Sequence, residues 1–452
     1  MSRLETDAPY PPPGDQATFA AAFQRGRYPV AVYGLGKMGL PLAGVFADVS
    51  SDVVGVDVDP SVVAAVEDGR SHVGGEPGLD DLVAETVDRG ALRATTDARD
   101  AADAASLHVV MVPTPIREDN EPDLSILADV ARDVAAGLDP GDAVFVECTV
   151  PPRTCEDFLQ PLLAAESGVD PDEFGLAFCP ERTMSGRAIE DIRGSYPKIV
   201  GGVDDESTEL ARRVYHEIND SGVITVSDAT TAESVKVFEG LYRDVNIALA
   251  NELAQFTSDF GIDVNEAIEA ANTQPYCDIH TPGAGVGGHC IPYYPYFVIG
   301  QFRREATLLR TAREVNDEMP VFVADRLGSQ LGEVGVDVED ATVAVLGLTY
   351  RPGVKELRAT PALPLAKRLH ARGATVLGVD PLLDEAPSFP LELVPQESLY
   401  DRDVDGVALV TAHEEFEAID WDAFEKPLAV VDGRQALDLD DTDHAVYTVG
   451  GG

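Results

Sequence analysis

Two stretches at opposite ends of the 452-residue chain carry one pattern. "VAVYGLGKMGLPLAGVFADVSSDVVGVDVDP" runs from Val30 to Pro60, and "VAVLGLTYRPGVKELRATPALPLAKRLHARGATVLGVDP" runs from Val343 to Pro381. Each starts with a short apolar, β-branched run, breaks at glycine, continues with helical spacing and returns to a second apolar strand ending in Gly-Val-Asp. Strand, turn, helix, strand is the opening of a doubly wound parallel sheet, and its recurrence predicts an α/β chain with two Rossmann-like domains.

Between them, Thr231–Gly261 places apolar residues at 238, 241, 242, 245, 249 and 253, which predicts a long central helix with a glycine stop at 261. Further strands are expected within 106–115, 142–152 and 174–181, each ending in a polar or proline-containing turn. The expected division is a flexible leader over 1–26, a first Rossmann domain over 27–215, a central helical part over 216–325 that pairs two copies, and a second Rossmann-like domain over 326–452. Hydrophobic residues make up 44% of the chain, enough for several cores. No apolar stretch approaches the roughly 20 residues that a bilayer span needs.

Aspartate and glutamate number 80 against 33 lysines and arginines, for a net charge of −47. Nucleic acid and acidic membranes are therefore poor partners for this surface. The acids are dispersed among apolar periodic segments, and only six lysines occur, so a folded core under an acidic, lysine-poor surface is expected rather than disorder. Such a surface is similar to that of salt-adapted (halophilic) proteins, where ionic strength screens self-repulsion. Five cysteines, an odd number thinly spread behind no charged-then-apolar leader, suggest reduced thiols in a cytosol.

Gly34, Gly36 and Gly39 form G-x-G-x-x-G between a strand and a helix, and Asp57 closes the next strand. The turn Gly34-Leu35-Gly36-Lys37-Met38-Gly39 suits a pyrophosphate at the helix N-terminus, with Asp57 accepting from a ribose 2′-hydroxyl, and the acid favours NAD over NADP. The second unit has "GLTYRPG" instead, without the triple glycine. Its Arg351, Lys355 and Arg358 are either side-chain ligands for a phosphorylated molecule or solvated charges on a helix face. The run "TPGAGVGGHCIPYYPYF" presents Cys290 behind glycines. That cysteine is either a nucleophile beside a nicotinamide, adding to an aldehyde, or a buried structural thiol. Cys277, His280, His289 and Cys290 lack the paired spacing of zinc ligands, so no metal is expected.

Taken together, "GLGKMGLPLA", "VPTPI", "ECTVPP", "LAFCPER", "TAESVKVFEGLYRDVNIALANELA", "GAGVGGHC", "LGLTYRPGVKELRATPAL" and "VVDGR" resemble the nucleotide-sugar 6-dehydrogenases, over about residues 28–450. The resemblance implies an NAD domain, a helical middle that forms a homodimer, and a C-terminal domain for the nucleotide sugar. It implies a four-electron oxidation of a C6 alcohol to a carboxylate, consuming two NAD, in a cytoplasmic enzyme of polysaccharide biosynthesis. By position, Cys290 is then the nucleophile, Lys236 the oxyanion stabiliser and substrate contact, and Glu181 the base for thioester hydrolysis. Thr149 positions water, Thr114 lies against NAD, and Arg182, Thr183, Arg243, Gly287, Gly288, Arg358 and Arg434 fall at the substrate, with Arg351 beside them. Read without the resemblance, Lys236 pairs with Glu233 or Glu239 on its own helix, and Glu181 is a turn residue.

The chain departs from that pattern. The family has Asn four residues after the lysine, where Gly240 stands, and Asp four residues after the cysteine, where Tyr294 stands. No Arg or Lys occurs from Asn272 to Cys290, although the family places an arginine before the glycine loop. A water beside Gly240 or the Tyr294 hydroxyl are the candidate replacements for the missing donor. "CPER" and "RDVNIALANEL" resemble the N-acetylhexosamine branch, so UDP-N-acetylmannosamine is the expected substrate and UDP-glucose the alternative. Two rivals of other kinds are a β-hydroxyacid dehydrogenase, which releases one NADH per substrate, and a catalytically impaired nucleotide-sugar binding protein.

Overall fold

The computed structural model describes residues 8–439 and 441–451. The first sheet contains β1 (Val30–Tyr33), β2 (Val53–Val56), β3 (Leu92–Thr95), β4 (Leu107–Val110), β5 (Ala143–Val146), β6 (Gly175–Phe178), β7 (Lys198–Gly202) and β8 (Val223–Thr225). Their order is β3-β2-β1-β4-β5-β6-β7-β8, parallel except where β7 meets β6. The second sheet contains β9 (Thr342–Leu346), β10 (Thr375–Val379), β11 (Glu392–Leu393), β12 (Gly406–Leu409), β13 (Ala429–Asp432) and β14 (Ala445–Thr448). Its order is β11-β10-β9-β12-β13-β14, so β9 plays the part in the second sheet that β1 plays in the first. Both are the doubly wound arrangement, with the reversal of winding beside the first strand.

Alternation along each first strand splits the apolar residues between two cores. Val30 and Val32 enter one cluster while Ala31 and Tyr33 enter the other, and Val343 and Val345 separate likewise from Ala344 and Leu346. A strand buried on both faces must be apolar throughout, which is why these segments read as continuous β-branched runs.

The chain forms two compact units. One holds residues up to Phe238 with Tyr296–Gln301, and the other holds Glu239–Pro295 and Phe302–Gly452. The predicted central helix spans Ala229–Gln255 and runs through the division between the units. A short helix, Thr257–Phe260, follows it, and Gly261 ends this at φ 66°, a conformation glycine adopts without strain. Among the described residues a second helix of 27 residues, Thr307–Glu333, was not anticipated. Pro320 inside it hides the pattern, although Met319, Val323, Leu327 and Leu331 are buried at helical spacing. No helix among the described residues is long and apolar enough to cross a membrane.

The flexible leader is corrected over residues 8–26, while residues 1–7 lie outside the described residues. Gln16–Gln24 form α1, capped by the Asp15 carboxylate, which accepts from Thr18 N at 2.9 Å. Phe19 and Phe23 are fully buried, and Phe19 stacks on Tyr28 with centroids 5.3 Å apart. Two buried aromatics anchor a segment that proline-rich composition alone marks as a loose arm.

Candidate active site

In the first unit the predicted residues gather at the carboxyl ends of strands, around the reversal between β1 and β4. The three glycines are needed for different reasons. A Cβ on Gly34, whose φ is 94°, would strike the Met111 carbonyl, and one on Gly39 would strike the Gly34 carbonyl. A Cβ on Gly36 would meet nothing within 4 Å. The first and third glycines thus serve packing, while the second leaves an open approach, with Lys37 exposed beside it and Met38 partly buried. This cradle fits a dinucleotide pyrophosphate at the start of α2 (Gly39–Val49). Asp57, beyond β2, latches the turn by accepting from Leu35 N at 2.9 Å.

Thr114 follows β4, Thr149 follows β5, and the Thr114 hydroxyl donates to the Thr149 carbonyl at 2.5 Å. Glu181 follows β6. Lys236, 7% exposed, donates to the Glu181 main-chain carbonyl, and its Nζ lies 3.4 Å from Oε2. Glu233 is taken up elsewhere, accepting from Arg153 N at 2.5 Å and Cys155 N at 2.8 Å. The Thr183 N–H donates to Glu181 Oε1, and its hydroxyl sits between that oxygen and Met38 Sδ, 2.9 Å away. Burial works to raise the Glu181 pKa, but the Lys236 ammonium and the Thr183 hydrogen bonds outweigh it and hold the carboxyl below its ordinary value. The carboxylate is thus a charged acceptor at neutral pH, clamped between a lysine and the nucleotide turn.

A pocket opens beside it, lined in part by Met38, Glu181, Arg182, Lys198 and Tyr215. Arg182 donates to the Pro197 carbonyl at 2.6 Å, with its guanidinium 4.8 Å over the Tyr196 ring. Below lies a group that sequence reasoning missed. Buried Glu147 pairs with Lys198 at 2.5 Å and accepts from the Tyr215 hydroxyl. A lysine inside an apolar strand, in a chain with only six, was the available signal.

In the second unit the glycine run is explained by close packing. A Cβ on Gly287 would lie 2.7 Å from the Tyr350 Cβ, and one on Gly288, at φ 98°, 2.9 Å from the Tyr350 ring. Gly288 N donates to the Arg358 carbonyl at 2.8 Å. The loop is therefore moulded onto the "GLTYRPG" turn. Cys290 beyond it is exposed, whereas Cys148, Cys155 and Cys179 are buried, so the buried structural alternative does not hold for this thiol. His289 pairs with Glu356 at 2.5 Å. Among the described residues no three His, Cys, Asp or Glu side chains converge as a metal site.

The cationic side chains of the second unit have different surroundings. Lys355 pairs with Asp384 at 2.7 Å, both well exposed, which is the solvated reading of that side chain. Arg358 lies 4.7 Å over the Tyr293 ring, Arg243 is exposed on the central helix, and Arg351 is partly buried. Arg434 donates to the Val410 carbonyl at 2.5 Å and the Gly285 carbonyl at 3.1 Å, and burial lowers its pKa to about 10. Asp380, the counterpart of Asp57, is buried and accepts from Leu348 N and Thr349 N, both at 2.8 Å, so its acceptors serve its own turn.

A glycine cradle at the reversal of a doubly wound sheet, an acid closing the second strand and a desolvated Glu–Lys pair are the parts of a dinucleotide-dependent oxidoreductase. Three domain models of the UDP-glucose/GDP-mannose dehydrogenase family match in order: NAD binding domain at 28–219, central domain at 230–318 and UDP binding domain at 344–439. The chain is 37% identical over 414 residues to the UDP-N-acetyl-D-mannosamine dehydrogenase of Pyrococcus horikoshii, covering 90% of this chain and 96% of that protein. It is 36% identical to an NDP-N-acetyl-D-galactosaminuronic acid dehydrogenase of Ralstonia nicotianae, covering 90% and 95%. A solved structure of the Pyrococcus horikoshii enzyme superposes with TM-score 0.84 at 34% identity, over 93% of this chain and 99% of that one. The chain belongs to the UDP-glucose/GDP-mannose dehydrogenase family and is an NAD-dependent nucleotide-sugar dehydrogenase.

The glycine geometry separates binding from folding. Gly36→Ala is expected to leave the melting temperature unchanged and raise the KM for NAD at least about tenfold, because a methyl group intrudes only where the ligand backbone approaches. Gly39→Ala is expected to cost about 1–3 kcal/mol of stability, because its Cβ must displace the Gly34 carbonyl. Thermal melts and NAD titrations of both variants check this contrast.

Proposed function

We propose that this enzyme oxidises the C6 alcohol of UDP-N-acetyl-D-mannosamine to the corresponding uronate. The observation that carries this reading is the ionised Glu181, held by Lys236 and joined through Thr183 to Met38 of the dinucleotide turn. The names of the Pyrococcus and Ralstonia relatives support an N-acetylhexosamine substrate over UDP-glucose.

NAD, held by Gly34–Gly39, Asp57, Thr114 and Thr149, supplies a hydride acceptor for each of two oxidations. Lys236 donates to the oxygen that carries developing charge on C6. The Cys290 thiolate adds to the aldehyde carbon, its Sγ forming a thiohemiacetal whose oxidation leaves a thioester. Glu181 takes the proton of a water aligned by Thr149, and hydrolysis frees the carboxylate and the thiol. Arg182, Thr183, Arg243, Gly287, Gly288, Arg351, Arg358 and Arg434 serve the nucleotide sugar. Of these, Arg434 acts by shaping the 283–285 loop through its carbonyl contact.

A panel of UDP- and GDP-sugars with NAD tests the reading, the expected result being two NADH per UDP-N-acetylmannosamine. One NADH per sugar would indicate the β-hydroxyacid class. Binding of NAD and UDP-sugar without NADH would indicate a binding protein.

Three further points belong to this reading. Tyr242, Leu249, Phe256 and Phe260 are exposed along one segment of helices, which supports a homodimer formed through it. The excess of acids supports a salt-adapted enzyme, and the five unpaired cysteines support a reducing cytoplasm. The melting temperature is expected to rise by about 10 °C or more between 0.1 and 2 M KCl, as screening relieves a charge of −47; a flat salt titration would refute that adaptation.

A further inference from the structure

Gly240 and Tyr294, two of the departures from the pattern that the resemblance implies, are in direct contact within the second unit. An ideal Cβ built on Gly240 falls 2.6 Å from the Tyr294 Cγ and 2.8 Å from its Cβ. The overlap takes in the edge of the ring together with the Cγ and Cβ at its root, so turning the ring about the Cβ–Cγ bond does not relieve it. Tyr294 is only 8% exposed. The space beside the Gly240 Cα is thus filled by an aromatic ring, which removes the alternative of a water standing in for the missing side chain.

The ring belongs to the turn that carries the thiol. Tyr293 N and Tyr294 N donate to the Cys290 carbonyl at 3.0 and 2.9 Å. Tyr293 lies under the Arg358 guanidinium at 4.7 Å, and the Arg358 carbonyl receives Gly288 N at 2.8 Å. The backbone of Cys290 is therefore gripped on one side through Tyr293 by the loop after β9, and on the other through Tyr294 by the bare surface of the central helix.

We infer that Gly240 and Tyr294 form one steric pair that sets the position of the Cys290 thiol, aromatic packing replacing the polar pair of the family. The two exchanges are then a single change. An Asn at 240 has no room while Tyr294 is present, and Tyr294 has no seat unless residue 240 lacks a Cβ. Tyr294 is a positioning residue, acting through the Cys290 turn. The inference rests on Cys290 being the nucleophile.

The experiment compares Tyr294→Phe, Tyr294→Ala, Gly240→Ala, the double variant Gly240→Ala/Tyr294→Ala and Cys290→Ser in the full-length enzyme. It follows kcat, the KM for NAD, melting temperature and the rate of iodoacetamide labelling of the Cys290 peptide by mass spectrometry. Tyr294→Phe is expected to stay within about twofold of native, because the ring does the positioning. Gly240→Ala and Tyr294→Ala are each expected to lower kcat about 100-fold with an unchanged KM for NAD, the scale of a misplacement near 1 Å, and to alter the labelling rate. The double variant is expected to be no worse than the poorer single one, since both break the same contact. Multiplicative losses in the double variant, a Gly240→Ala enzyme of native rate, or a Tyr294→Phe enzyme as poor as Tyr294→Ala would overturn the inference. Should either alanine variant melt early, the Phe and Ala variants at Tyr294, compared by labelling below the melting range, still decide. A Cys290→Ser enzyme of native rate sinks the nucleophile assignment instead, so the two failures are distinguishable.

Discussion

Replacing Cys290 by serine is expected to lower the rate of uronate formation by at least about three orders of magnitude while leaving the fold and NAD binding intact. The side chain is exposed, so the exchange of sulfur for oxygen opens no cavity and strands no buried group. What is lost is the nucleophile: a serine hydroxyl ionises far above neutral pH and does not add readily to an aldehyde, whereas a thiolate does. The variant should therefore release at most one NADH per sugar, against two for the native enzyme. Stopped-flow NADH counting with a melting curve separates this outcome from simple unfolding. A variant that still yields two NADH at native speed would end the covalent route.

Lys236→Ala is expected to be nearly as damaging, and differently. Loss of a positioned donor to a developing oxyanion lowers kcat by about 10²–10³-fold. It also leaves Glu181 in a buried site without its cation, the two side chains being 8% and 17% exposed. In the native enzyme the Glu181 pKa is depressed, so its contribution to stability is present above the ordinary carboxylate range and is lost as pH falls through the folded value. Without Lys236 the largest cause opposing burial is gone and the Glu181 pKa rises from that depressed position. A buried carboxylate left without its cation is expected to cost about 3–5 kcal/mol of stability at neutral pH. The acidic limb of the pH–rate profile should move to higher pH in the same variant. Melting temperatures and kcat measured across pH 5–9 check both effects; a profile unmoved on the acidic side would show that Glu181 is not the base.

The two doubly wound sheets were legible because they rest on short-range signals. Val30–Pro60 and Val343–Pro381 each spell strand, turn, helix and strand within about forty residues, and their first strands occupy equivalent places in the two sheets. The glycine turn was legible for the same reason, whereas the separate demands on Gly34, Gly36 and Gly39 come from the atoms packed around each. The helix around Phe19 and Phe23 was not, since a nine-residue helix has little periodicity of its own and exists through its aromatic contacts with Tyr28 and Phe46. Asp57 and Asp380 end equivalent strands in the same Gly-Val-Asp, yet the second is buried and bound to Thr349 and His413.

By itself the sequence determined the fold class and the dinucleotide turn, because periodicity and turn glycines are properties of neighbouring residues. Only the tertiary structure decided that Lys236 turns to Glu181 and not to Glu233, that Glu147, Lys198 and Tyr215 form a buried group behind the pocket, and that Tyr294 closes on Gly240. Those pairings join residues 50 or more apart in the chain, and which of several partners wins depends on burial and shape that exist only once the elements have packed.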